Sequence, residues 1–107
     1  MSSEFILKQH DTLPILTAIL KDANGVVINL AATTVTFKMG TENSTKITGA
    51  TTVTDTLNGA VMYEWQPNDT DTAGVFLGEF EVVHASGKRE TFPNNEPFRV
   101  VIRPDVI

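Results

Sequence analysis

Cysteine is missing from all 107 residues. That removes disulfide staples, thiolate metal sites and a cysteine nucleophile, so the core has to hold by packing alone. Basic residues are few and dispersed. Eight Lys and Arg stand against thirteen Asp and Glu, for a net charge of -5, and only Lys88 and Arg89 are adjacent. Phosphate recognition wants clustered cations, so no nucleic-acid partner is expected. Long apolar runs are also missing. The longest apolar-leaning stretch, Leu13 to Leu20, is broken by Pro14 and Thr17. It falls far short of the ~20 residues of a membrane helix, so no membrane partner is expected. The start, Met1-Ser2-Ser3-Glu4, has no basic segment ahead of an apolar core. Synthesis in the cytoplasm without general secretory export follows as the expectation.

Helical periodicity is the next absence: no window sustains apolar residues at i, i+3, i+4 and i+7. What is there instead is a succession of short runs rich in Thr, Val, Ile and Phe, divided by turn signals, the pattern of a sandwich or barrel. The composition, 41% apolar and 20% charged, fits a globular chain rather than a disordered one, and the length suits one domain spanning residues 1–107. Strands are expected at Glu4 to Lys8, Leu13 to Lys21, Val26 to Asn29, Thr34 to Met39, Lys46 to Asp55 with a break near Gly49, Ala60 to Gln66, Val75 to Ala85, Arg89 to Phe92 and Phe98 to Arg103. Asp22-Ala23-Asn24-Gly25, Asn58-Gly59 and Ser86-Gly87 read as turns. Gly40 to Ser44 reads as a polar loop, and Pro93-Asn94-Asn95-Glu96-Pro97 as an interruption of the last return. Shared parity along the strands selects a core built on Phe37, Tyr63, Trp65, Phe76, Phe80 and Phe98, with Val82, Val100 and Ile102 beside them.

Little in the chain suggests chemistry. His10 and His84 are the only histidines. Neither sits near a Gly-x-Ser-x-Gly turn, and no His-x-x-x-His pair exists. Asn68-Asp69-Thr70-Asp71 alternates oxygen ligands in a loop, but it lacks the Gly and distal Glu of a calcium-binding EF-hand. Such side chains also cap turns through their own backbone. Glu79 and Glu81 share one strand face, which reads as solvated. The seven glycines are spread singly rather than gathered into a phosphate loop. Tyr63 and Trp65 could stack on a sugar, yet they alternate in step with Val61 and so read as core. No enzyme activity, no cofactor and no metal site is expected.

An ordered set of segments goes further than composition. Asp11-Thr12-Leu13-Pro14 precedes a strand ending in Lys21-Asp22-Ala23-Asn24-Gly25. Val27-Ile28-Asn29-Leu30 and Val35-Thr36-Phe37-Lys38-Met39 follow. Then come Asn58-Gly59-Ala60-Val61-Met62-Tyr63-Glu64-Trp65 and Asp71-Thr72-Ala73-Gly74-Val75-Phe76, leading into Glu79-Phe80-Glu81-Val82. Gly87-Lys88, Thr91-Phe92-Pro93-Asn94 and a final Arg99-Val100-Val101-Ile102 complete it. The order resembles the immunoglobulin-like N-terminal domain of bacteriophage baseplate upper proteins, over about Phe5 to Ile102. The resemblance implies an immunoglobulin-like antiparallel β-sandwich of about seven to nine strands, working in a virion. Members of that family continue into long C-terminal regions, and this chain ends at Ile107, so their receptor-attachment role is not carried over. Phe76 stands where immunoglobulin-like domains often place a tyrosine at the corner before strand F, so no hydroxyl-anchored corner is expected at that position.

The expected function is therefore a non-catalytic assembly or docking module of a phage tail, baseplate, neck or head surface. Its expected partners are other virion proteins or further copies of itself, and its expected location is the virion. A carbohydrate- or receptor-binding module on the same fold is the alternative. Apolar residues at positions whose face is otherwise polar mark the expected interface: Phe5, Leu7, Met62, Leu77 and Val101.

Overall fold

The computed structural model describes residues 4–94 and 96–106. Met1, Ser2 and Ser3 of the start, Asn95 of the last interruption, and Ile107 lie outside them. The described residues are all-β. Nine strands follow one another: β1 (Glu4–Lys8), β2 (Leu16–Ile19), β3 (Thr34–Thr41), β4 (Ser44–Ala50), β5 (Thr52–Asp55), β6 (Ala60–Tyr63), β7 (Gly74–Val83), β8 (Arg89–Phe92) and β9 (Phe98–Arg103). Among the described residues no helix is present, and so none is long and apolar enough to cross a membrane.

Two sheets form. One runs β1-β9-β7-β3-β4, and the other β2-β6-β5. β7 is the hub of the larger sheet. Along one edge it pairs with β3 from Thr34↔Val83 to Gly40↔Leu77. Along the other edge β9 covers its first half and β8 its second half. The two short strands therefore occupy one row, split by the Pro93 to Pro97 segment, because a proline cannot donate to a ladder. β1 closes the sheet in parallel beside β9, so the larger sheet is mixed rather than antiparallel throughout as expected; only the smaller sheet is purely antiparallel.

The core fills the space between the sheets. Phe37 is 0% exposed. Its ring lies 4.7 Å from that of Tyr63 and 5.7 Å from Trp65 on the smaller-sheet side, and 5.3 Å from Phe80 on its own sheet. Val35, Met39, Val82, Val100 and Ile102 are buried with it, while Phe76 and Phe98 are partly buried and pack against this cluster. Gly78 lies under Phe98. A Cβ at Gly78 would come within 2.7 Å of that ring, so the position has no room for a side chain.

Several expected elements differ: β6 ends at Tyr63 rather than Gln66, the break between β4 and β5 falls at Thr51 rather than Gly49, and three further differences have a local cause. β2 starts at Leu16 rather than Leu13, because the carbonyl of Pro14 accepts the Trp65 indole N–H at 3.1 Å instead of serving a ladder. Val26 to Asn29 is no strand; only a single bridge, Lys21↔Val27, forms there. The Asp22 carboxylate takes the backbone N–H groups of Asn24 and Val26, at 2.9 and 3.0 Å, and this local turn competes with a ladder. Gly40 to Ser44 is no open loop. β3 and β4 continue through it to a tight hairpin, with a register shift between Met39 and Gly40. A Cβ on Gly40 would stand 2.2 Å from the Ser44 carbonyl oxygen, so only glycine allows the approach.

Candidate docking surface

Parity decides which side chains a sheet offers to its neighbours. In the larger sheet Phe5, Leu7, Phe76, Phe80, Val100 and Ile102 turn toward the core, so their sequence neighbours turn outward. The registers then bring outward residues of three strands into one row: Ile6 lies opposite Val101, and Val101 opposite Val75. Ile6 is 52% exposed, Val75 51%, and Val101 is half-buried. Leu77, also half-buried, stands two residues along β7 and opposite Arg99. These four apolar side chains form one joined patch on the outer face. Polar residues surround it. Glu4 and Arg99 pair across β1 and β9 at 3.5 Å, and Glu81 accepts from Lys38 at 3.0 Å with Arg89 at 3.5 Å.

The five residues expected at an interface do not lie together. Leu77 and Val101 belong to this patch. Met62 is half-buried on the outer face of the smaller sheet, opposite Thr17 and Thr52. Phe5 is partly buried, its ring 5.9 Å from that of Trp65. Leu7 needs correction: it is 3% exposed and part of the core, because its pairing with the inward Ile102 turns it inside. Ile6 and Val75 were not anticipated. Each sits in an unbroken apolar run, Phe5-Ile6-Leu7 or Val75-Phe76-Leu77, where alternation is silent about the face.

A second apolar feature lies at the side of the molecule. β2 is an edge strand of the smaller sheet. A groove of about 390 Å³ runs beside it, lined by Phe5, Leu16, Ala18, Phe80, Phe92 and Phe98 among others.

The polar groups that could have carried chemistry are engaged structurally. The His10 ring meets Asp105 at 2.9 Å and the His84 ring meets Glu90 at 2.8 Å; neither ring has a hydroxyl partner among the described residues. Asp69 accepts the Tyr63 hydroxyl at 2.5 Å and the Gln66 backbone N–H at 2.8 Å. Burial, and then the Asp69 carboxylate, push the Tyr63 hydroxyl above the usual phenol range. Asp71 accepts from Lys46 at 2.7 Å and from Thr72 at 3.0 Å. These bonds, that from Lys46 foremost, hold its carboxyl below the usual range. Between the two aspartates Thr70 is buried and donates to the Asp11 carbonyl at 2.8 Å. The loop is thus tied to its surroundings at three successive side chains. Tyr63 supplies the anchoring hydroxyl that Phe76 lacks, from the strand before the loop rather than the strand after it. Among the described residues no three His, Cys, Asp or Glu side chains gather as a metal site. Comparison of the chain with family models, with curated proteins and with solved structures finds no match.

Proposed function

We propose that the chain is a non-catalytic assembly module of a bacteriophage particle, an immunoglobulin-like sandwich that docks through the outer face of its larger sheet. The observation that carries the docking reading is the apolar row Ile6, Val101 and Val75, joined by Leu77. Single exposed apolar residues are ordinary, whereas a joined set rimmed by charge marks a contact surface.

Strand order supports the finer fold. With β2 to β7 taken as strands B, C, C′, D, E and F, and β8 with β9 as a divided G, the smaller sheet reads B-E-D and the larger one G-F-C-C′. That order is the one an immunoglobulin-like sandwich with the extra strand of variable-type domains would have. Support for the virion setting comes from the ordered segments between Phe5 and Ile102. Burial of Tyr63 and Trp65, 3% and 4% exposed, favours assembly over sugar binding, since the only tyrosine and the only tryptophan face the core.

Replacing Leu77 and Val101 together with aspartate tests the reading. The double variant should keep the far-ultraviolet spectrum and cooperative melting of the parent. It should be depleted from gradient-purified particles that contain the parent chain. A folded double variant present in particles at the parental level would overturn the proposal.

A further inference from the structure

We infer that the occupant of this face is a second copy of the chain, packed face to face about a two-fold axis; this rests on the docking reading above and names its partner. The argument comes from the charges on either side of the apolar row. One step along β1 and β9 from that row, Lys8 and Arg103 lie directly opposite each other. Neither forms an ion pair among the described residues. Like charges in register destabilise a sheet, so a carboxylate arriving from outside would relieve this pair. The opposite side of the row holds the complement. Beyond Leu77 on β7 stands Glu79, which also forms no ion pair among the described residues.

The spacing suits self-recognition. Two residues of strand advance ~6.6 Å. The cations therefore lie ~7 Å to one side of the apolar row, and Glu79 ~13 Å to the other. An axis running across the strands between Val75 and Leu77 exchanges those two positions. It brings both cations of one copy to the level of Glu79 on the other, Arg103 one strand over and within reach of a long side chain, Lys8 two strands over. Leu77 then meets the valine row of the partner. Two-fold symmetry makes each contact occur twice. The net charge of -5 opposes approach at long range. Salt screens that repulsion beyond ~8 Å at physiological ionic strength, which leaves the local pattern to set the orientation.

Size sets the strength. Five strands at ~4.8 Å spacing and six residues at ~3.3 Å make a face of roughly 20 by 20 Å. That is about half the ~800 Å² per partner of a stable complex. The contact is weak between free chains and gains from repetition where many copies are held together.

Sedimentation equilibrium of the full chain, taken to on the order of 1 mM, should show a reversible dimer. Lys8→Glu with Arg103→Glu should weaken it about tenfold, and so should Glu79→Arg, because each change sets like charges against each other across the axis. An equimolar mixture of the two variants should associate as well as the parent, since opposite charges then face each other at both sites. A parent monomeric throughout the range, or a dimer indifferent to these changes, overturns the second-copy inference. If the parent is monomeric while the Leu77→Asp, Val101→Asp variant is still lost from particles, the face docks on a different protein and only this inference fails. If the parent dimerises as described while that variant enters particles normally, the inference stands and the docking reading of the particle falls.

Discussion

Phe37 tests the core most sharply. It is 0% exposed, and four rings stand around it: those of Tyr63, Phe80 and Trp65, and that of Phe98 at 6.1 Å. Truncation to alanine removes a whole ring from a site that both sheets build, so collapse from one side cannot refill it. Phe-to-Ala changes at such sites cost about 3–5 kcal/mol. A chain of this length has a total stability of roughly 5–15 kcal/mol. The variant should therefore still fold, with about half its margin gone. At ~4–8 °C per kcal/mol, the melting temperature should drop by roughly 12–40 °C. Urea titration followed by far-ultraviolet dichroism gives the free energy directly. The slope should match the parent, because the surface exposed on unfolding barely changes. Phe76→Ala is the internal control. Phe76 is only partly buried and joins none of the ring pairs among the described residues, so it should cost about half as much. A Phe37→Ala loss below about 1.5 kcal/mol, or no larger than that of Phe76→Ala, would refute the packing argument.

Three further outcomes follow from local geometry. The unfolded chain ionises its tyrosine near pH 10, whereas folded Tyr63 keeps its proton to higher pH. This group therefore leaves stability unchanged below about pH 10 and lowers it as pH rises above that. Tyr63→Phe should flatten that fall in denaturant titrations between about pH 10 and 11, and an unaltered slope would count against the buried hydroxyl. Asp69→Ala leaves the Tyr63 hydroxyl without its acceptor and should cost about 1–3 kcal/mol, more than Asp71→Ala; calorimetric titration with calcium should show no stoichiometric binding to the parent, and tight binding would overturn the structural reading of this loop. Gly40→Ala should destabilise by more than about 2 kcal/mol, because its Cβ meets backbone, whereas Gly25→Ala meets nothing within 4 Å and pays only for a positive φ of 79°; equal melting temperatures for the two would contradict the hairpin geometry.

Much of the fold was legible because alternation is unambiguous where polar and apolar residues take turns. Val35, Phe37 and Met39 against Thr36 and Lys38 settle the face of β3. β1, β8 and β9 have the bounds that the sequence suggests. The hairpin at Glu42 and Asn43 was hidden, because its geometry depends on a glycine two residues earlier accepting backbone contact. The Val26 to Asn29 segment was hidden for a related reason: β-propensity there is overridden by one carboxylate binding two N–H groups. The outer apolar row was half legible. Leu77 and Val101 stand out beside charged neighbours, whereas Ile6 and Val75 become visible only once register lays them beside Val101. Pairing partners, not propensities, assign a face to a run of consecutive apolar residues.

The parallel pairing of β1 with β9 has a mechanical consequence. Their register runs from Glu4↔Arg99 to Lys8↔Arg103. The chain thus enters β1 at one end of the sheet and leaves β9 at the other. Tension between those two points slides one strand along its neighbour, loading all their hydrogen bonds together. Antiparallel strands joined by a hairpin would instead peel apart one bond at a time. A pull in this direction has to break the whole seam at once and draw Leu7 from the interior in the same movement. Pulled from its two ends, the chain should resist as a clasp resists, holding until it gives way abruptly.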